Sequence, residues 1–152
     1  MMSLGEKVTM ILNGTIEAAK GVIPLQFTVD SPSLFTDPLA QSSIGVLIGM
    51  TGDVRGQLVI EGDVSSFSYI GEMMFGMALE GEMLQSFTGE VGNMIAGNLA
   101  TALSQKGITM DITPPTVLVG QTKLYGFDKA FRVPILIEGI GEIQIILMIE
   151  LH

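Results

Sequence analysis

The stretch EMLQSFTGEVGNMIAGNLATALSQK, residues 82–106, decides how the rest of the chain is to be read. Leu84, Phe87, Val91, Ile95 and Ala102 recur at helical spacing, and Gly107 follows the run where a helix commonly ends on a left-handed residue. At 100° per residue, Ser86, Glu90, Asn93, Gly97 and Ser104 fall in a narrow stripe on the opposite side. An amphipathic helix follows, its apolar side on a core and its polar stripe toward solvent. The stripe is unusually small. Gly89, Gly92, Gly97, Ala96 and Ala100 stand in or beside it, where an ordinary exposed face carries Lys, Glu and Gln. Each interior glycine costs roughly 1 kcal/mol relative to alanine. Their presence implies either a surface kept low so that another protein can approach, or tight packing on a neighbour in the same fold. The pattern leaves both open.

Working outward, Val8, Ile11, Ile16 and Ala19 mark an N-terminal helix from Leu4 to Lys20, stopped by Gly21 and Pro24. Leu25 to Asp30 alternates like a half-buried strand, and Ser31 to Asp37 reads as a loop. Ile44 to Thr51 and Gln57 to Glu61 form a hairpin about a Gly52-Asp53 turn, and Asp63 and Ser65 suit the cap of a helix from Val64 to Met77. Beyond the central helix come Ile108 to Ile112, the Pro114-Pro115 pair, a strand from Thr116 to Gly120 and a second hairpin from Ala130 to Leu151. The hairpins resemble each other at an offset of 89: Val46-Leu47-Ile48, Gly52 and Ile60-Glu61 against Ile135-Leu136-Ile137, Gly141 and Ile149-Glu150. A duplicated helix-plus-hairpin unit explains this, and so does the shared composition of apolar hairpins. In the first case Asn13 takes the place of Asn93, and Met10 that of Glu90. Either way the fold is mixed α+β in two layers, long helices on a largely antiparallel sheet, in one domain spanning 1–152.

Composition excludes much chemistry. Without cysteine there is no disulfide, thiolate zinc site or cysteine nucleophile, and a lone histidine, His152, leaves no Ser-His-Asp triad and no histidine base. A net charge of -9 with seven Lys and Arg opposes nucleic-acid binding. At 47% hydrophobic and 15% charged, the chain is apolar enough to expect part of its surface under another subunit, yet its longest apolar runs are far short of the roughly 20 residues of a membrane span. The start has no export signal, so a cytoplasmic location is expected, and the first four residues carry no inference. Asp53 with Arg55 reads as turn chemistry, Glu138 to Glu142 as a second turn, and Asn98 as a partly inward, hydrogen-bonded residue. No phosphate loop, paired carboxylates or metal-ligand cluster competes with the Glu90/Asn93 stripe.

Ser86-x3-Glu90-x2-Asn93, followed after 21 residues by Pro115, resembles the signature of the CheC/CheX/FliY phosphatases of bacterial chemotaxis. Residues 89–97 and 111–117 are most similar to its CheX branch. The resemblance implies the CheC-like fold with its pseudo-repeated unit, and a substrate that is a phosphorylated CheY-like response regulator. That regulator carries the phosphate on its own aspartate beside its own Mg2+; no cofactor or metal is implied for this chain. Asn93 would insert its amide to place the attacking water in line, and Glu90 would pair with the regulator's lysine. Ser86, Gly89 and Gly97 would belong to the contact surface, with Pro115 structural. Such chemistry suits a chain without histidine or cysteine, because phosphoryl transfer depends on positioning and on charges the substrate protein supplies. Met10 in the place of glutamate implies one active helix per chain, as in CheX, and the branch implies a homodimer joined partly through sheet edges. A second reading is a non-catalytic receiver-binding or flagellar-switch module. A third, a small-molecule enzyme using scattered carboxylates, has no constellation to build on.

Overall fold

Ser3 starts the first helix: its hydroxyl accepts the Glu6 N–H at 3.1 Å, satisfying one of the free donors of the first turn. In the computed structural model, which describes residues 3–24, 26–35, 39–41, 43–120, 122–124 and 130–150, this helix, α1, runs Leu4–Val22. It is followed by β1 (Phe27–Val29), β2 (Ser33–Phe35), β3 (Leu39–Gln41), β4 (Ile44–Gly52) and β5 (Arg55–Gly62). Two helices come next, α2 (Val64–Phe75) and α3 (Gly81–Ser104). The chain continues through β6 (Met110–Ile112), β7 (Thr116–Val119), β8 (Thr122–Leu124), β9 (Ala130–Ile137) and β10 (Gly141–Glu150).

The expected helices and hairpins stand close to their sequence bounds. The expected Ser31–Asp37 loop is instead partly strand, because β2 pairs with β9, Ser33 opposite Arg132. β3 and β8, also unforeseen, pair with each other, Leu39 opposite Leu124. Three-residue strands are too short to show an alternating pattern. Leu25, the 36–37 end of the expected loop, and the Leu151 and His152 end of the chain lie outside the described residues. The α2 cap also differs. Asp63 precedes the helix but makes no side-chain cap bond; the Ser43 hydroxyl accepts from the Val64 N–H at 3.2 Å instead.

The main sheet runs β1-β9-β10-β5-β4-β6, with β2 also alongside β9 and β7 also alongside β4, every pairing antiparallel. The element order α1-β1-β2-β3-β4-β5 recurs as α3-β6-β7-β8-β9-β10, with α2 between the copies. β5 pairs β10 at the centre of the main sheet and β3 pairs β8 in a separate two-stranded sheet, so equivalent strands meet each other. This is the duplicated unit. At the offset of 89, core residues Val46 and Ile48 of β4 fall on core residues Ile135 and Ile137 of β9. The two turns, centred on Asp53 and Gly139, are only 86 positions apart, because the first is longer than the second, so no single offset carries one hairpin wholly onto the other.

One sheet face carries Val46, Ile48, Leu58, Ile60, Val133, Ile135, Ile145 and Leu147 into the core with Val91, Ile95, Leu99 and Leu103 of α3. The other face is also partly buried: Val59, Ala130, Ile146 and Met148 form a second cluster. The apolar run from Ile145 to Ile149 thus has both its faces inside, and some of the surface expected under another subunit is covered within the chain. Among the described residues, no helix is long and apolar enough to cross a membrane.

Candidate functional site on helix α3

α3 is held at both ends and along one side. Glu82 lies in its first turn, where a negative charge favours the free N–H groups. At the other end the Ile108 N–H reaches the Leu103 carbonyl at 2.9 Å and the Gly107 N–H reaches that of Ser104 at 3.1 Å, around Gly107 at φ +81. This is the six-to-one and five-to-two pairing of a glycine-terminated helix. Leu84, Phe87, Val91 and Ile95 are buried as the spacing required.

Two of the stripe's glycines are explained by this side. A Cβ at Gly92 would fall 2.4 Å from Val46 Cγ1, and one at Gly89 would fall 3.2 Å from Val117 Cγ2 and 3.9 Å from Pro115 Cγ. The helix backbone therefore rests directly on β4 and β7. Gly89, expected on the contact surface, is buried in this packing, so its place there is corrected: its Cα faces the Pro115 shelf and not solvent. Gly97 differs, for a Cβ there would meet nothing within 4 Å.

What remains open to solvent is Ser86, Glu90 and, half-exposed, Asn93 and Gly97. Glu90 and Asn93 are three residues apart, so they stand about 4.5 Å apart along the axis and side by side. Among the described residues, no hydrogen bond or ion pair engages either side chain, so both are free to meet groups on an incoming surface. Because Gly92 presses on Val46, the Asn93 amide stands on a part of the helix that cannot sink further or roll without a clash. A carboxylate and an amide on a rigid, low ridge can accept from a cation and orient a water.

The shelf beside them was only half legible. Pro115 lies against α3, as its structural assignment requires. Its anchor, Thr113, was missed: the Gly49 N–H donates to the Thr113 hydroxyl at 2.8 Å, and the Thr113 N–H donates to the Gly49 carbonyl at 3.0 Å. Asp53 likewise does more than turn the chain, since its carboxylate accepts the Thr109 N–H at 2.9 Å and ties the first hairpin to β6. Asn98, expected partly inward, is exposed on the α1 side, its amide 3.2 Å from where a Cβ of Gly21 would be.

The duplicated helix does not repeat the site. When α1 and α3 are aligned on their last buried residues, Val22 and Leu103, their burial rhythms coincide, and Glu90 and Asn93 fall on Thr9 and Leu12. Asn13, expected to match Asn93, is displaced by one position and matches Met94; matching it to Asn93 would set buried Gly14 against exposed Met94.

Similarity to known proteins agrees with this geometry. A CheY-P phosphatase CheX of Thermotoga maritima is 31% identical over 132 residues, 84% of this chain and 85% of the relative. A CheC-like superfamily protein of Shewanella sp. PV-4 superposes with a TM-score of 0.79 at 25% identity, covering 94% of this chain and 96% of that one. The CheX of a CheX-CheY-BeF3-Mg2+ complex from Borrelia burgdorferi shares the fold at a TM-score of 0.78 and 23% identity, covering 94% and 97%. The family model for the chemotaxis phosphatase CheX matches residues 44–137, which include α3, the Thr113-Pro115 shelf and the strands from β4 to β9. The described residues set three helices on an antiparallel sheet, with one free Glu/Asn ridge among them, and this chain belongs to the CheX family of chemotaxis phosphatases.

Proposed function

We propose that this protein hydrolyses the aspartyl phosphate of a CheY-like response regulator, with Asn93 positioning the attacking water and Glu90 pairing with a lysine of the regulator. The observation that carries the reading is the Glu90/Asn93 ridge, unengaged among the described residues and locked in place by the contact of Gly92 with Val46. The regulator brings the phosphorylated carboxylate and its Mg2+, so this chain needs to supply only a placed water and a docking charge. Asn93 suits the first task because an amide both donates and accepts, fixing a water's orientation without changing charge. Glu90 suits the second because a carboxylate on the same face, one turn away, gives the docked partner one register.

The test is phosphate release from a CheY-like receiver domain charged with acetyl phosphate. Asn93→Ala is expected to slow release by about 100-fold or more, the scale of a lost positioning contact, while the receiver still binds. Equal rates for wild type and Asn93→Ala would sink the assignment. Glu90→Ala is expected to weaken binding and lower turnover together. Tight receiver binding with no acceleration by the wild type would favour a receiver-binding or flagellar-switch module instead.

A further inference from the structure

One flank of the Glu90/Asn93 ridge is apolar and exposed. Met83 and Met94 lie about 20° and 40° round α3 from Glu90, on the side away from Asn93. They are 59% and 36% exposed. Between them the chain turns in Phe75 from the end of α2: its ring is 60% exposed and meets Phe87 edge-on, centroids 5.7 Å apart at 81°. The first half of the repeat does not reproduce this shoulder among the described residues: α2 lies outside the repeat, and the α1 station that matches Met94 holds Asn13.

We propose that Phe75, Met83 and Met94 form the docking shoulder for the receiver domain, and that the receiver surface beside its phosphorylated aspartate meets it with apolar side chains. The inference rests on the phosphatase reading and deepens it. The shoulder is continuous with the catalytic face: Met94 stands one turn beyond Glu90 and only 40° round the helix from it, so a protein whose lysine pairs with Glu90 while the Asn93 amide reaches its active site is brought up beside Met94. Long-range charge offers no attraction to a phosphorylated acidic site. The chain carries -9, and Glu72, Glu80, Glu82 and Glu90 are all exposed near this face. Affinity must then come at short range, and unbranched methionines flanking an aromatic ring are suited to that because they adapt to the partner's shape.

The experiment measures, on the full chain, the Kd for a beryllofluoride-charged CheY-like receiver domain together with KM and kcat on the acetyl-phosphate-charged form. For Met83→Ser combined with Met94→Ser, Kd and KM are expected to rise by about tenfold or more, with turnover at saturating receiver near that of wild type. Both positions are exposed, so an unchanged circular-dichroism melt will confirm that the fold is kept. If wild type turns over the receiver and the double variant has the same Kd and KM, the shoulder is overturned and the phosphatase reading stands. A wild type that neither binds nor dephosphorylates the receiver overturns both.

Discussion

A methyl group added at Gly92 would fall 2.4 Å from Val46 Cγ1, whereas one added at Gly97 would meet nothing within 4 Å. The same residue type, five positions apart in one helix, therefore answers to different constraints. Gly92→Ala must push α3 off β4, and overpacking of this kind is expected to cost about 1–3 kcal/mol, read as a lower midpoint in urea unfolding. Gly97→Ala keeps the fold and gains about 1 kcal/mol of helix propensity, so the midpoint should rise. If Gly97 lies under the docked receiver, the same substitution should raise KM, because its methyl stands on the approach path. A Gly97→Ala protein that is more stable with an unchanged KM would remove Gly97 from the contact. From sequence both glycines looked alike; only the position of Val46, brought under Gly92 by the strand order, separates them.

At the scale of elements, α3 was legible because its period is its own: the residues that make the ridge and those that bury it sit within one segment and obey one angle. The shelf beside it was not, because Thr113 works through Gly49, which is 64 positions away in the chain and adjacent only across the sheet. Removing the hydroxyl with Thr113→Val leaves the Gly49 N–H without that acceptor and is expected to cost about 1 kcal/mol, while Thr113→Ser keeps the bond and most of the stability. Thermal melts of the two variants compare them directly, and equal melts would show that the hydrogen bond is not what holds the shelf. The first helix makes the opposite case. Its apolar period gave a correct helix, but its match to α3 slipped by one residue, and in a helix one residue is 100° of rotation. With Thr9 and Leu12 at the stations of Glu90 and Asn93, α1 has no ridge to offer. Asn13→Ala is accordingly expected to leave phosphate release from a charged receiver unchanged, and a marked loss would show a second working helix.

For the whole molecule, the duplication sets where stability concentrates. Equivalent strands β5 and β10 lie side by side at the centre of the sheet, and Ile60 sits opposite Ile145, both fully buried within the one core. Sequence comparison found the two halves but could not find this seam, because apolar residues at alternate positions fit several registers equally well; hydrogen bonding and the closed ends of the two hairpins choose one. The seam joins the halves, so weakening it should unfold the chain as a unit and not release one half. Ile60→Ala and Ile145→Ala are each expected to cost about 2–5 kcal/mol, since each leaves a cavity in a close-packed layer. Because the two side chains are cross-strand neighbours, the second deletion enlarges a space already opened by the first. The double variant should therefore depart from the sum of the singles by about 0.5–3 kcal/mol, whereas distant pairs add. A control pair with Leu84, at the far end of α3, should be additive. Urea unfolding followed by circular dichroism decides it: one transition with a coupled Ile60/Ile145 pair is expected, and two separate transitions, or strict additivity across the seam, would mean that the halves fold independently.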